Sequence, residues 1–151
     1  MSDEARIFCE GTCHCGDVGA RLHSANNLGL RACQCGFCRR HGAGTVADPD
    51  GSLSLYADEE SLNRYRFDPG TADFILCQSC GTYIAAVITS EGEHRATLNV
   101  MGIDPAWFQG MPIEPVSYDG ERVSDRRARR LSTWTPTHFH PRRDYNQTAA
   151  A

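Results

Sequence analysis

Cys77-Gln78-Ser79-Cys80-Gly81-Thr82, residues 77–82, holds two thiols separated by two residues, with a glycine directly after the second. A tight turn over that spacing points both sulfurs the same way, as a soft cation requires. The logic recurs upstream. Cys13 and Cys15 form a C-x-C followed by Gly16, and Cys33, Cys35 and Cys38 form a C-x-C-x-x-C. Seven of the eight cysteines thus fall into three clusters, and only Cys9 stands apart, as a buried small residue or a spare thiolate. Zinc is the usual occupant of such sites, about 2.3 Å from each sulfur in a tetrahedron. Two plus two ligands close one site. The remaining three leave a second site one ligand short, and three protein ligands with an open position is the pattern of a catalytic zinc. The count predicts up to two zinc ions per chain, but spacing alone does not decide which clusters combine.

The competing readings of these cysteines are weaker. The first residues, MSDEARIFCEGTCHC, show no basic segment followed by an apolar run, so no secretory signal is expected. Adjacent C-x-C cysteines also make poor disulfide partners for each other. Reduced thiolates on metal and a cytoplasmic location are therefore expected. The 151 residues suit one domain with a sizeable core. No apolar run approaches a membrane span. A net charge of -4 disfavours a dedicated nucleic-acid binder, which is normally basic.

Periodicity points to short strands. Asp17 to His23 alternates, with Val18, Ala20 and Leu22 on one side and Asp17, Gly19, Arg21 and His23 on the other, as in a half-buried strand. Leu28–Ala32, Leu53–Tyr56, Leu62–Phe67, Phe74–Leu76, Tyr83–Thr89 and Ala96–Val100 read likewise. Turns are predicted at Asp48-Pro49-Asp50-Gly51 and at Asp68-Pro69-Gly70. No βαβ alternation is present. One helix is predicted from an N-cap at Ser124, with Asp125 in its first turn. Its apolar stripe is Ala128, Leu131 and Trp134, leaving Arg126, Arg127, Arg129 and Arg130 as a solvated face. His138 and His140 read as a loop feature. Residues 1–146 are expected to form one zinc domain, and 147–151 a disordered tail.

The strings GTCHCGDV, CQCGFCRRHGAG and ILCQSCGT, in that order, resemble the glutathione-dependent formaldehyde-activating family, also called the GFA or CENP-V/GFA-type domain. Gly11, Cys13, Cys15 and Gly16 match its first element. Cys33, Cys35, Cys38 and Arg39 match its second, and Cys77, Cys80, Gly81 and Thr82 its third. The resemblance runs from about Gly11 to Ala86 and thins afterwards, where Asn99 to Pro105 is only loosely similar. It implies a mostly β, zinc-organised fold of the Mss4-like type, made of short antiparallel strands with few short helices. It also implies the ligand sets: Cys13, Cys15, Cys77 and Cys80 for a closed structural zinc, and Cys33, Cys35 and Cys38 for an open catalytic one.

The family's namesake reaction joins glutathione and formaldehyde into S-(hydroxymethyl)glutathione, a carbon–sulfur lyase reaction run in reverse. An open three-thiolate zinc suits it, because a bound thiol loses its proton more easily. A small-molecule thiol such as glutathione is the expected partner. Arg39 and Arg40 directly follow the last ligand and are candidates to clamp its carboxylates. His14 and His41 flank the clusters as candidate hydrogen-bond donors or acid–base groups. Two rival functions follow from the same ligands. One is a zinc enzyme that uses metal-bound water on another small electrophile. The other is a non-catalytic zinc-binding interaction module.

Overall fold

The alternating stretches become strands of one mixed sheet. The computed structural model describes residues 6–67, 71–103, 106 and 111–149. In chain order the strands are β1 Arg6–Thr12, β2 Gly19–Ser24, β3 Leu30–Cys33, β4 Thr45–Val46, β5 Ser52–Tyr56, β6 Leu62–Tyr65, β7 Asp73–Cys77, β8 Tyr83–Ser90, β9 Glu93–Asn99, β10 Ile113–Val116 and β11 Thr135–His140. The helices are α1 Gly36–Arg40, α2 Val123–Thr133 and α3 Asp144–Ala149. The predicted turn at residues 68–70 and the Asp104-Pro105 pair lie outside the described residues. No helix among the described residues is long and apolar enough to cross a membrane.

Strands follow the order β1-β2-β5-β11-β9-β4-β3-β10, and β6-β7-β8 joins through β8 to β9. β9 is the junction. His94–Ala96 pair with β11, Leu98 and Asn99 pair with β4, and the opposite edge pairs with β8. The mostly β class with few short helices is as expected. Two pairs, β3 with β10 and β5 with β11, are parallel rather than antiparallel. Both involve C-terminal strands that return after long connections, as parallel pairing requires.

β8 decides where the site lies. Its run Tyr83 to Ile88 is buried throughout, so both of its faces meet core. Ile84, Ala85 and Val87 pack into one cluster with Leu22, Leu53 and Leu98. Tyr83, Ala86 and Ile88 pack into a second with Phe74, Cys38 and Trp134. Strict alternation would place Tyr83 with Ala85. Instead the register against β7 shifts between Ile75 and Leu76, which puts the extra residue at Ile84. That bulge turns Tyr83 into the second core, beside the three-cysteine cluster.

Three expectations change here. β2 is not half-buried: Arg21 is only 2% exposed. It is held by Glu10 at 2.6 Å, by the Tyr56 hydroxyl at 3.2 Å and by the Tyr145 carbonyl at 3.2 Å, under the Tyr145 ring. The same contact anchors the C-terminus, so α3 continues through Gln147 to Ala149 where a tail is predicted. His138 and His140 lie in β11, not in a loop. Pairing with both β5 and β9 overrides Pro136 within the strand and Pro141 after it, and His140 stacks on Tyr56 and bonds Ser54 Oγ.

Candidate metal centres and the cavity beside them

The first cluster is built on two turns. After β1, Cys13 N–H donates to Val18 O and Gly16 N–H to Cys13 O. After β7, Cys77 N–H donates to Thr82 O and Gly81 N–H to Cys77 O. Gly16 and Gly81 have φ of +92° and +77°, and a Cβ at either would meet nothing within 4 Å. Glycine is thus required for its left-handed backbone rather than for space. The turns aim amides at sulfur: Val18 N–H at Cys13 Sγ, 3.3 Å, and Cys80 N–H at Cys77 Sγ, 3.5 Å. Ser79 Oγ bonds Asp17 Oδ2 across the two turns at 2.9 Å.

The turns meet although β1 and β7 do not pair, and the four sulfurs lie within 4.8 Å of one another. Cys13 and Cys15 are 3.8 Å apart, and Cys15 and Cys77 3.5 Å. A sulfur tetrahedron around zinc has edges of about 3.8 Å, given the usual Zn–S length, so the donor set fits. Electrostatics agree. The Asp17 amide favours the Cys15 thiolate, but desolvation and the sulfurs of Cys77, Cys13 and Cys80 outweigh it and push the thiol up to about 12. Burial pushes Cys80 up as well, yet bonds from the Thr82 hydroxyl and amide bring it down to about 6. Four sulfurs this close repel one another as thiolates, and a cation among them removes the conflict.

The second cluster lies where β3 meets α1. Cys33 ends the strand, Cys35 caps the helix by accepting from Cys38 N–H at 3.3 Å, and Cys38 is buried one turn on. Their sulfurs also lie within 4.8 Å of one another. No fourth His, Cys, Asp or Glu atom joins them among the described residues. Hydrogen bonds from the Cys33 and Cys38 thiols pull Cys35 down to about 2, while Cys33, Cys35 and burial push Cys38 far up. Among the three sulfurs, negative charge is thus favoured on Cys35. The three sulfurs suit a soft cation that keeps one position for another ligand.

The cluster borders a cavity of about 650 Å³, within the usual range for small-molecule sites. Cys33, Cys35 and Cys38 line it. Phe67, Phe74, Tyr83 and Trp134 form an aromatic wall, backed by Phe37, whose ring lies 4.8 Å from Phe74 and 4.9 Å from Tyr83. Burial, reinforced by the three cysteines, pushes the Tyr83 phenol well up, so it stays protonated. Arg126, Arg129 and Arg130 of α2 line the cavity with Arg31, against Glu114 and Asp119. Glu121 binds two of them: Arg129 by a fork of 2.9 and 3.1 Å, and Arg126 at 3.2 Å. Arg129 also lies 3.6 Å over the Tyr118 ring.

The structure gathers all seven clustered cysteines in the two predicted sets. It does not bring Arg39 and Arg40 to the cavity. Both are exposed, with Arg39 Nε on Gln34 O and Arg40 Nη1 on Gly36 O. Each helical residue turns by about 100°, so a helix that aims Cys38 inward aims the next two residues elsewhere. His14 and His41 are exposed and outside the cavity wall, His41 against Phe37. Cys9 is buried in the main core. The arginines of α2 were instead expected in solvent. Helix α2 has no buried residue, begins one residue before Ser124 and leaves Ala128 exposed. Leu131 and Trp134 of the predicted stripe do pack on the second core, and Arg126, Arg129 and Arg130 line the cavity beside it. The available signal was the spacing of Arg126, Arg129 and Arg130, three and four residues apart, which places them on one face.

Comparison with known proteins agrees with this geometry. A crystal structure of a Rhodobacter sphaeroides protein shares 31% sequence identity, over 72% of this chain and 100% of that one, with a TM-score of 0.54. The family described as glutathione-dependent formaldehyde-activating enzyme matches residues 8–111, which hold every ligand of both sulfur clusters. With the match spanning more than half its length, the chain belongs to the glutathione-dependent formaldehyde-activating enzyme family.

Proposed function

We propose that the protein is a cytoplasmic, zinc-dependent carbon–sulfur lyase acting on a thiol–aldehyde adduct, with glutathione and formaldehyde as its reactants. In this reading Cys13, Cys15, Cys77 and Cys80 hold a structural zinc, and Cys33, Cys35 and Cys38 a catalytic one. The observation that carries it is the three-thiol cluster opening into an aromatic cavity with arginines on one wall. Cys33, Cys35 and Cys38 would hold a zinc ion, which would supply a soft Lewis acid able to lower the pKa of a bound thiol.

The rest of the chemistry falls to the chain itself. The substrate sulfur forms a bond to the aldehyde carbon, the carbonyl π bond becomes a C–O single bond, and the oxygen gains a proton. The reverse reaction breaks the same C–S bond. Arginines of α2 attract an anionic thiol and orient it towards the cysteines. Phe67, Phe74 and Trp134 exclude water, which strengthens every polar contact inside. The Tyr83 hydroxyl, kept protonated in the wall, donates a hydrogen bond to the oxygen where charge develops.

Thiols add to formaldehyde unaided, so the test must resolve a rate. Exchange NMR on glutathione, formaldehyde and S-(hydroxymethyl)glutathione at equilibrium measures interconversion directly. Zinc-loaded protein is expected to accelerate exchange at substoichiometric amounts, and C35A to remove the acceleration. Exchange no faster than in buffer rejects the lyase assignment.

A further inference from the structure

Three arginines of α2 line the cavity, and they are not equivalent. Arg126 and Arg129 share the Glu121 carboxylate, so their charge is already answered. Arg130 forms no ion pair among the described residues. Its guanidinium donates from Nη1 to Thr71 Oγ1 at 2.5 Å and lies 4.9 Å from the Trp134 ring. Its Nε is buried with no hydrogen-bond partner among the described residues. Burial, and then repulsion from Arg129 and Arg126, pulls Arg130 down to about 10, so the site resists the charge it carries. A partly buried cation without an anion is costly, and a bound carboxylate relieves the cost.

We propose that Arg130 is the specificity-determining residue of this cavity, receiving a carboxylate of the thiol substrate. The inference rests on the lyase reading of the same cavity and adds what that reading lacks, a residue that selects the thiol. Because α2, Val123–Thr133, lies beyond the matched residues 8–111, the family match does not assign this role. The fork geometry of a guanidinium suits a planar carboxylate, and Arg130 shares its cavity with the three thiols. Thiols without a carboxylate reach the cysteines but gain nothing at Arg130.

Calorimetry on zinc-loaded protein with glutathione and with its dimethyl ester tests this, since both ligands keep the thiol. The wild type is expected to bind glutathione about 10- to 150-fold more tightly than the diester, the worth of one charge-assisted hydrogen bond. R130Q is expected to lower glutathione affinity to near the diester level while leaving diester affinity unchanged. R130K, which keeps the charge without the fork, is expected to retain part of the discrimination. It serves as the test if R130Q does not fold. If R130Q weakens both ligands equally, or R130K keeps full discrimination, Arg130 answers the charge of the sulfur cluster or packs on Trp134 only, and the proposal falls. Failure of the lyase reading looks different: exchange is not accelerated, yet the diester discrimination and its loss in R130Q persist.

Discussion

Cys13, Cys15, Cys77 and Cys80 sit on two turns far apart in sequence, after β1 and β7, and meet only in the folded chain. Cys33, Cys35 and Cys38 sit on one strand end and the short helix after it, and form a cluster from local sequence alone. A metal on the first set closes a loop of the fold. A metal on the second would close nothing beyond its own turn, and the three cysteines border a cavity. Under the proposed function, that difference in ligand number and chain separation, not residue type, would divide folding work from chemistry.

The sharpest way to break this comparison is to remove one ligand from each set. C80A or C13A is expected to destabilise the protein by more than about 4 kcal/mol, often to insolubility, because structural metal binding is folding free energy. C35A is expected to stay folded, with circular dichroism close to wild type, and to lose activity. Denaturant unfolding of the soluble variants decides the matter, and equal damage from C35A and C80A would abolish the distinction.

Metal removal is the next test. A chelator titration followed by metal release and by thermal melting is expected to show two steps. The ion at Cys33, Cys35 and Cys38 leaves first with little change in the melt. The ion on four cysteines leaves later, together with the fold. Release of both ions in one step, concurrent with unfolding, contradicts the asymmetry.

Glycines separate the clusters at finer scale. Gly81 holds φ of +77° with open space around it, so G81A adds only backbone strain, expected at about 1–2 kcal/mol. Gly36 opens α1, and a Cβ there meets only the Arg40 Nη1, the movable end of a side chain, at 2.9 Å. G36A is therefore expected within about 0.5 kcal/mol of wild type, since alanine favours the helix. Denaturant midpoints of the zinc-loaded variants measure both, and equal shifts would mean that the turns after β1 and β7 are not under backbone control.

Much of this was legible because metal ligands are local motifs. The spacing of Cys77 and Cys80, the glycine after them and the alternation around Leu53 and Leu55 are readable without a fold. The pairing of the Cys13 and Cys77 clusters is set only in the folded chain, and a resemblance rather than spacing supplied it. The position of Tyr83 depends on a one-residue bulge at Ile84, which no hydrophobic pattern announces. Helix α2 misled for a physical reason. An apolar stripe normally marks the buried face, and Leu131 and Trp134 do pack on the second core, but that core borders a cavity, so Arg126, Arg129 and Arg130 line it as well while Ala128 faces out. β11 was hidden because Pro136 lies within it and Pro141 follows it, yet pairing on both edges holds the strand in place.

The smallest expected effect concerns Arg39, the cation nearest the open cluster in sequence. Position after the last ligand suggests a carboxylate clamp, but the side chain is exposed and its Nε bonds Gln34 O at 3.0 Å. Exposed charges are screened by solvent and contribute little. R39A is therefore expected to change glutathione affinity by less than about twofold, well below the loss expected for R130Q. The two variants, measured by the same calorimetry on zinc-loaded protein, decide which cation the ligand meets. A tenfold loss in R39A with no loss in R130Q would move the carboxylate to the outer side of α1. The cavity wall formed by α2 would then be a structural surface, and the open cluster would receive its ligand from the opposite direction.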